Sequence, residues 1–251
     1  MNFDVYADLD HLFMLNFSMD ARQLEKLVPH PLKVLERNGA GFPSIVLPSI
    51  KRLRPTFTRF PQVNYELFGL RILVEYDSQQ LGPTKGIYFA KLIMDPNWVR
   101  IAANAVTPFW FEPGRIRKAH GEGGGASIEV RGSRGERLLS ASVRAGQDFP
   151  KTVTQGSRFS SADEALKMYN DIAYGFLPLE SGNRVEVLQI ADPHPNYVAW
   201  PLTHLEVSRA EVSLLHSNEA FDGAEVVLEP SYYVGFLPRY WRWLKTEQIS
   251  H

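Results

Sequence analysis

"GIYFAKLIMDPNWVRIAANAV" (Gly86 to Val106) changes its hydrophobic period part-way along. Gly86 to Met94 is apolar and rich in aromatic and branched side chains, as a strand is. Beyond it the spacing becomes helical. Asp95 stands at the cap, Pro96 in the first turn, and Trp98, Ile101, Ala102 and Ala105 share one face. One residue fits neither half easily. In an alternating strand Ile87, Phe89, Lys91 and Ile93 share one face, while Tyr88, Ala90, Leu92 and Met94 share the other. Both faces are apolar, which leaves two readings for Lys91. Its stem packs while the ammonium reaches a rim or a carboxylate, or it is a partly buried amine whose neutral form is favoured by desolvation.

Outward from this segment, strand patterns dominate. "VNYELFGLRILVEY" (Val63 to Tyr76) precedes it, "PSIVLPSI" and "HLFMLNF" (His11 to Phe17) lie further upstream, and "RVEVLQIA", "YVAWPLTHLEV" and "AEVVLEP" lie downstream. "ASIEVRG" and "RLLSASVR" form a hairpin pattern across "SRGE". Two more helices have end signals. Asp20 caps "ARQLEKLV", with Leu24, Leu27 and Val28 on one face and Pro29 as the stop. Ser161 and Glu164 have capping-box spacing ahead of a stripe of Ala165, Leu166, Tyr169 and Ile172, with Gly175 at the end. With no Pro/Ser-rich linker or repeat, the reading is one domain over residues 1–251 of β-dominated α+β class.

Composition narrows the function. The 251 residues are 44% hydrophobic and include 15 Phe, 10 Tyr and 5 Trp, enough for a large aromatic core. A net charge of −1 gives no reason to expect nucleic acid or an acidic membrane as partner. There are no cysteines, so disulfides, thiolate metal sites and cysteine nucleophiles are excluded. No metal or cofactor is expected: the seven histidines are scattered, and the Gly-rich "HGEGGGAS" neither ends in Gly-Lys-Ser/Thr nor opens a helix. His194, in "ADPHPNY", reads as a solvated turn residue. The acidic N-terminus "MNFDVYADLD" has no hydrophobic region behind a positive one, and no apolar run is long enough to span a bilayer. The expectation is a cytoplasmic protein.

"LNFSMDARQLEKLVPHPLKV" (Leu15 to Val34) resembles the N-terminal strand and helix of acetoacetate decarboxylases. "VNYELFGLRILVEY", "GIYFAKLIMDPNWVRIAANAV" and "FWFEPGRI" resemble three later landmarks of that family, in the same order, over Leu15 to Ile116. The first stretch, "SADEALKMYNDIAYG" and the strands after it are also similar to uncharacterised bacterial proteins thought to share the fold. The resemblance implies a closed, cone-like antiparallel β-barrel with outer helices and a small cavity. It also implies a lysine that forms an imine with a keto acid, activated beside a cationic group.

The residues carry that chemistry over only in part. Glu66 matches the family's strand-opening glutamate, and Pro113 matches the proline of its lysine motif. Gly114 and Arg115 stand where two lysines are expected, and Ser18 stands where a substrate-binding arginine is expected. Authentic acetoacetate decarboxylase activity is therefore not expected. Phe149-Pro150-Lys151 repeats the aromatic-Pro-Lys tripeptide but lies well downstream. Lys91 is the candidate amine and Glu66 the proton-transfer or orienting group. Arg115, held by Glu112, is the candidate carboxylate anchor, and Ser18 is a further candidate substrate-binding residue. The expected function is binding of a small carboxylate or carbonyl compound, with lyase-type imine or enolate chemistry if it is an enzyme. The alternative is a non-catalytic barrel for a hydrophobic metabolite. The aromatic "SYYVGFLPRYWRWLK" is either packing or a homo-oligomer contact.

Overall fold

The structure is a computed structural model that describes residues 4–121, 125–146, 153, 155–179, 184–191, 199–207, 226–234, 237–243 and 247–248. His194 and Lys151 lie outside the described residues. The chain runs through β1 (Val5–Asp20), α1 (Ala21–Glu25), β2 (Lys33–Val34), β3 (Ala40–Gly41), β4 (Pro43–Pro55), β5 (Val63–Ser78) and β6 (Gly82–Asp95). It continues with α2 (Asn97–Val106), β7 (Glu112–Pro113), β8 (Arg115–His120), β9 (Gly125–Arg131), β10 (Arg137–Ala145), α3 (Ala162–Asn170), β11 (Tyr174–Pro178) and β12 (Arg184–Ala191). β13 (Ala199–Val207), β14 (Val227–Leu228), β15 (Tyr232–Val234), β16 (Leu237–Trp243) and β17 (Glu247–Gln248) complete it. The fold is β-dominated with few helices, as the alternating patterns predict.

The four long strands order the rest. β1 pairs antiparallel with β4 on one side and with β15 and β16 on the other. β4 pairs with β5, and β5 with β6, which takes β11 as a parallel neighbour on its far side. The aromatic C-terminal stretch enters this sheet: Tyr232 is buried, its hydroxyl donates to Met14 Sδ at 3.1 Å, and the backbone of β16 bridges β1 and β12. Phe13, Leu15, Phe17, Ile45, Leu47, Phe68, Leu70, Ile72 and Ile93 face one way into the main core. Met14, Val46 and Ile50 face the other way, into a second core with Tyr232. Alternation therefore gives each central strand two buried faces, and neither can be named "inside" from the sequence alone.

The helix ends follow their side chains. Asp20 accepts from Arg22 N at 2.8 Å, and Leu24 is fully buried, but α1 stops at Glu25, ahead of Pro29. Ser161 Oγ accepts from Glu164 N at 3.2 Å, and Ala165 and Tyr169 are buried, while Gly175 lies in β11. α2 departs from expectation. Pro96 is its N-cap, and Asp95 ends β6, where Oδ2 accepts from Ile116 N at 3.1 Å and so fixes the start of β8. The predicted apolar stripe is also outward, with Trp98 61% and Ile101 57% exposed. Val99, on the other side, joins a buried cluster with Leu92, Met94 and Phe111, and Ala103 packs against it. A helix with small apolar residues on both sides leaves the choice of face to the sheet beneath it. Among the described residues no helix is long and apolar enough to cross a membrane.

Candidate functional site

Cross-strand register builds the candidate site. His11 on β1 is opposite Ser49 on β4, and Ser49 is opposite Glu66 on β5. The three side chains therefore form one row across three strands, at the end of the face that carries Phe13, Leu47 and Phe68. A β-bulge brings the row together. Leu9 is opposite Ile50 but His11 is opposite Ser49, so Asp10 is an extra residue on β1 and lies beside His11. A fourth residue arrives from β8. In "RIRKAH" Arg115 and Arg117 are exposed while Ile116 is buried, and Lys118 shares the side of Ile116. The side chain of Lys118 is only 4% exposed.

Lys118 Nζ donates to Glu66 Oε2 at 2.6 Å, to Leu47 O at 3.0 Å and to Ser49 Oγ at 3.0 Å. All three directions of an ammonium are used. Ser49 Oγ donates to Glu66 Oε2 at 2.5 Å and lies 2.8 Å from His11 Nε2. His11 Nδ1 lies 3.6 Å from Asp10 Oδ2, and the His120 ring stands edge-on to the His11 ring at 4.9 Å. Burial pushes the Lys118 pKa below the ordinary lysine value, with Glu66 pulling the other way. His11 is lowered to about 4, first by burial and then by the Lys118 charge, so it is neutral near pH 7. The cluster thus holds a buried amine, a carboxylate, a hydroxyl and a neutral imidazole in mutual contact.

Beside it opens a pocket of about 250 Å³ lined by Asp8, Asp10, Lys51, Arg52 and Asn64. The charges of two of these residues, Asp10 and Lys51, act on Lys118. Arg52 takes a left-handed backbone (φ 52°) and is tied through Nε to the buried Asp8. Among the described residues no group of three metal-ligating side chains converges.

The other expected residues lie elsewhere. Lys91 is opposite Leu70 and pairs through Nζ with Glu112 Oε2 at 2.9 Å, its side chain 24% exposed. From Glu66 to Leu70 is four residues along β5, roughly 13 Å at ~3.3 Å per residue. Glu112 thus turns to Lys91, and Arg115 is exposed on the outward side of β8. Ser18 is buried on the opposite face of β1, where Oγ donates to Glu229 Oε1 at 2.6 Å. Glu229 is itself buried and accepts from Ser157 Oγ and Arg158 N as well. At Gly114 a Cβ would stand 2.5 Å from Arg131 O and 2.5 Å from Ile93 Cγ2, so the position has no room for a side chain. Of the expected residues, only Glu66 joins the cluster. Lys118 and His11 were not foreseen, although the alternation of "RIRKAH" marks Lys118 as sharing a face with Ile116.

A family model for uncharacterised conserved proteins matches residues 6–231. The chain belongs to that family, DUF2071. No curated protein matches the sequence. Among solved structures, an acetoacetate decarboxylase-like enzyme from Sphingomonas wittichii RW1 is similar at 15% identity and TM-score 0.54, over 98% of this chain and 93% of that one. Acetoacetate decarboxylase from Legionella pneumophila is similar at 14% identity and TM-score 0.58, over 98% and 87%. The enduracididine biosynthesis enzyme MppR, in complex with pyruvate, gives 12% identity and TM-score 0.58, over 98% and 90%. This DUF2071 chain therefore has the acetoacetate decarboxylase-like fold, at identities that speak for the fold alone.

Proposed function

We propose that the interior of this fold binds a small carbonyl compound, a keto acid in the first instance, and that Lys118 is the amine that forms an imine with it. The observation that carries the proposal is the Lys118–Glu66 contact at 2.6 Å, made by a lysine whose side chain is almost fully buried. Burial favours the neutral amine, and Glu66 is placed to take the proton that Lys118 must lose. The amine then attacks the carbonyl carbon, Glu66 returns its proton to the departing hydroxyl, water leaves, and the iminium that forms faces the Glu66 carboxylate, which offsets its charge. An iminium is an electron sink, so a lyase-type reaction at the adjacent carbon is the chemistry this pairing suits. Two further observations support the reading. Structures of the same fold include one holding pyruvate. The pairings β1–β4–β5–β6–β11–β12–β16 also return to β1, which supports the cone-like barrel.

Borohydride trapping tests it. Pyruvate and acetoacetate are each incubated with the protein, reduced, and read by intact mass and peptide mapping. The expected result is a stable adduct on Lys118 that Lys118→Met abolishes. An adduct on Lys91 would move the amine to the more exposed Lys91–Glu112 pair. No adduct with either compound, where an authentic decarboxylase is labelled, overturns imine chemistry and favours the non-catalytic metabolite-binding barrel.

A further inference from the structure

Ser49 Oγ has three polar neighbours, and its valence fixes the role of each. A hydroxyl donates once and accepts twice. With its three contacts filled as an ammonium, Lys118 Nζ can only donate to it, at 3.0 Å, and the Glu66 carboxylate can only accept from it, at 2.5 Å. The remaining neighbour, His11 Nε2 at 2.8 Å, must therefore be a donor. His11 is thus the Nε2–H tautomer, with Nδ1 turned toward Asp10 Oδ2 at 3.6 Å. Asp10 has a side chain 52% exposed and lines the open pocket. Hydrogen bonds run from the buried Lys118–Glu66 pair through Ser49 to His11 Nε2, and the far nitrogen of the ring stands 3.6 Å from Asp10 at the pocket.

We propose that Ser49 and His11 form a proton relay between Glu66 and the pocket at Asp10, which supplies and removes the protons that enamine chemistry at Lys118 requires. The inference rests on the imine reading above and adds residues to it. In the resting arrangement the relay is set to deliver inward. The Ser49 hydroxyl proton passes to Glu66, the His11 Nε2 proton passes to Ser49, and Nδ1 takes a proton from hydronium arriving through the pocket at Asp10, which leaves as water. Glu66 then gives its proton to the enamine carbon: the C=C pair forms the new C–H bond and the nitrogen lone pair forms the C=N bond. Removal runs the same steps backward. The two states of the relay are the two neutral tautomers of His11, nothing is oxidised or reduced, and no atom is gained beyond the proton carried. The groups facing His11 suit this. Asp10 and Phe13 come from β1, Ser49 from β4, Glu66 from β5, and Lys118 and His120 from β8. Those of β8 oppose a second positive charge on the ring, which keeps it neutral and able to exchange one proton for another.

The test separates the relay from the imine. Pyruvate in D₂O is followed by proton NMR for loss of methyl hydrogen, while borohydride trapping in parallel measures the iminium. The wild-type protein is expected to do both. His11→Ala is expected to slow exchange at least tenfold relative to trapped iminium, with free imidazole restoring it. His11→Gln, which can still donate to Ser49 but cannot accept a proton on its far side, is expected to remain slow. His30→Ala, in an exposed turn, serves as the control and leaves both unchanged. If trapping is intact and His11→Ala exchanges at the wild-type rate, or if His11→Gln restores it, the relay is wrong and the imine stands. If the wild-type protein traps nothing, both fall. Nitrogen-15 shifts of labelled histidine give a reading without mutation or substrate. Nε2–H is expected for His11 near neutral pH, and Nδ1–H as the resting tautomer overturns the relay.

Discussion

Replacing Glu66 with glutamine leaves Lys118 without its counter-charge in a place where solvent cannot substitute for it. The Lys118 side chain is 4% exposed and that of Glu66 28%. Removing one member of a buried pair costs ~3–5 kcal/mol. The partial exposure of Glu66, and an amide oxygen that can still accept, place the expected loss at the low end, about 3 kcal/mol. For a chain of this length each kcal/mol moves Tm by about 2–4 °C, so E66Q is expected to melt roughly 6–12 °C below wild type near neutral pH. The pH dependence has a definite sign. Burial already lowers the Lys118 pKa, and Glu66 is the main influence raising it. Without Glu66 the value falls further, so the folded chain binds fewer protons than the unfolded one up to the ordinary lysine value of ~10.4. The deficit of E66Q is therefore full below the lowered value and narrows as pH rises toward ~10. Adding Lys118→Met removes the stranded charge, so the double variant is expected to melt above E66Q alone. Calorimetry of the three proteins from about pH 6 to about pH 9 decides it. Equal melting of E66Q and wild type throughout, or a deficit that widens with pH, would refute the pairing.

Three further outcomes are expected. Gly114→Ala forces a methyl to within 2.5 Å of Arg131 O and should lower stability by ~1–3 kcal/mol in a denaturant titration; Gly114→Lys should gain no trapped adduct. Ser161→Ala removes the side chain that accepts from Glu164 N and should cost about 1 kcal/mol by thermal melting, with α3 the first helix to lose amide protection. His11, lowered to about 4, should titrate there by NMR. The unfolded chain takes up that proton first, at ~6.5, so stability is lost as pH falls from there toward the folded value. His11→Asn should flatten that part of the stability–pH profile.

Much of the architecture was legible because its causes are local. The alternating runs became strands, "SRGE" became the β9–β10 turn, with Gly132 N donating to Glu136 O at 2.9 Å, and Asp20 and Ser161 capped their helices as their side chains allow. The order of four short landmarks pointed to the fold that the solved structures share. Two departures in the helices have one origin. Asp95 leaves its cap position to hold Ile116 N, and α2 turns its larger apolar residues outward, because each meets a partner on the sheet.

The site was less legible for the same reason. Glu66 was recognisable by its place at the head of a strand, but its partner is Lys118, 52 residues along the chain. Lys91, which its apolar setting singled out, meets Glu112 instead. An apolar neighbourhood is a property of sequence, whereas contact between two charges depends on register, and register here turns on one extra residue. Asp10 interrupts the pairing of β1 with β4 and lays His11 opposite Ser49, in one row with Glu66. The sequence by itself determined the strands, the N-caps of α1 and α3 and the missing lysine motif, since each depends on residues within a few positions of one another. Only the tertiary structure decided which lysine meets the carboxylate, because bulge, crossing strand and buried face act together over chain separations that no local pattern records.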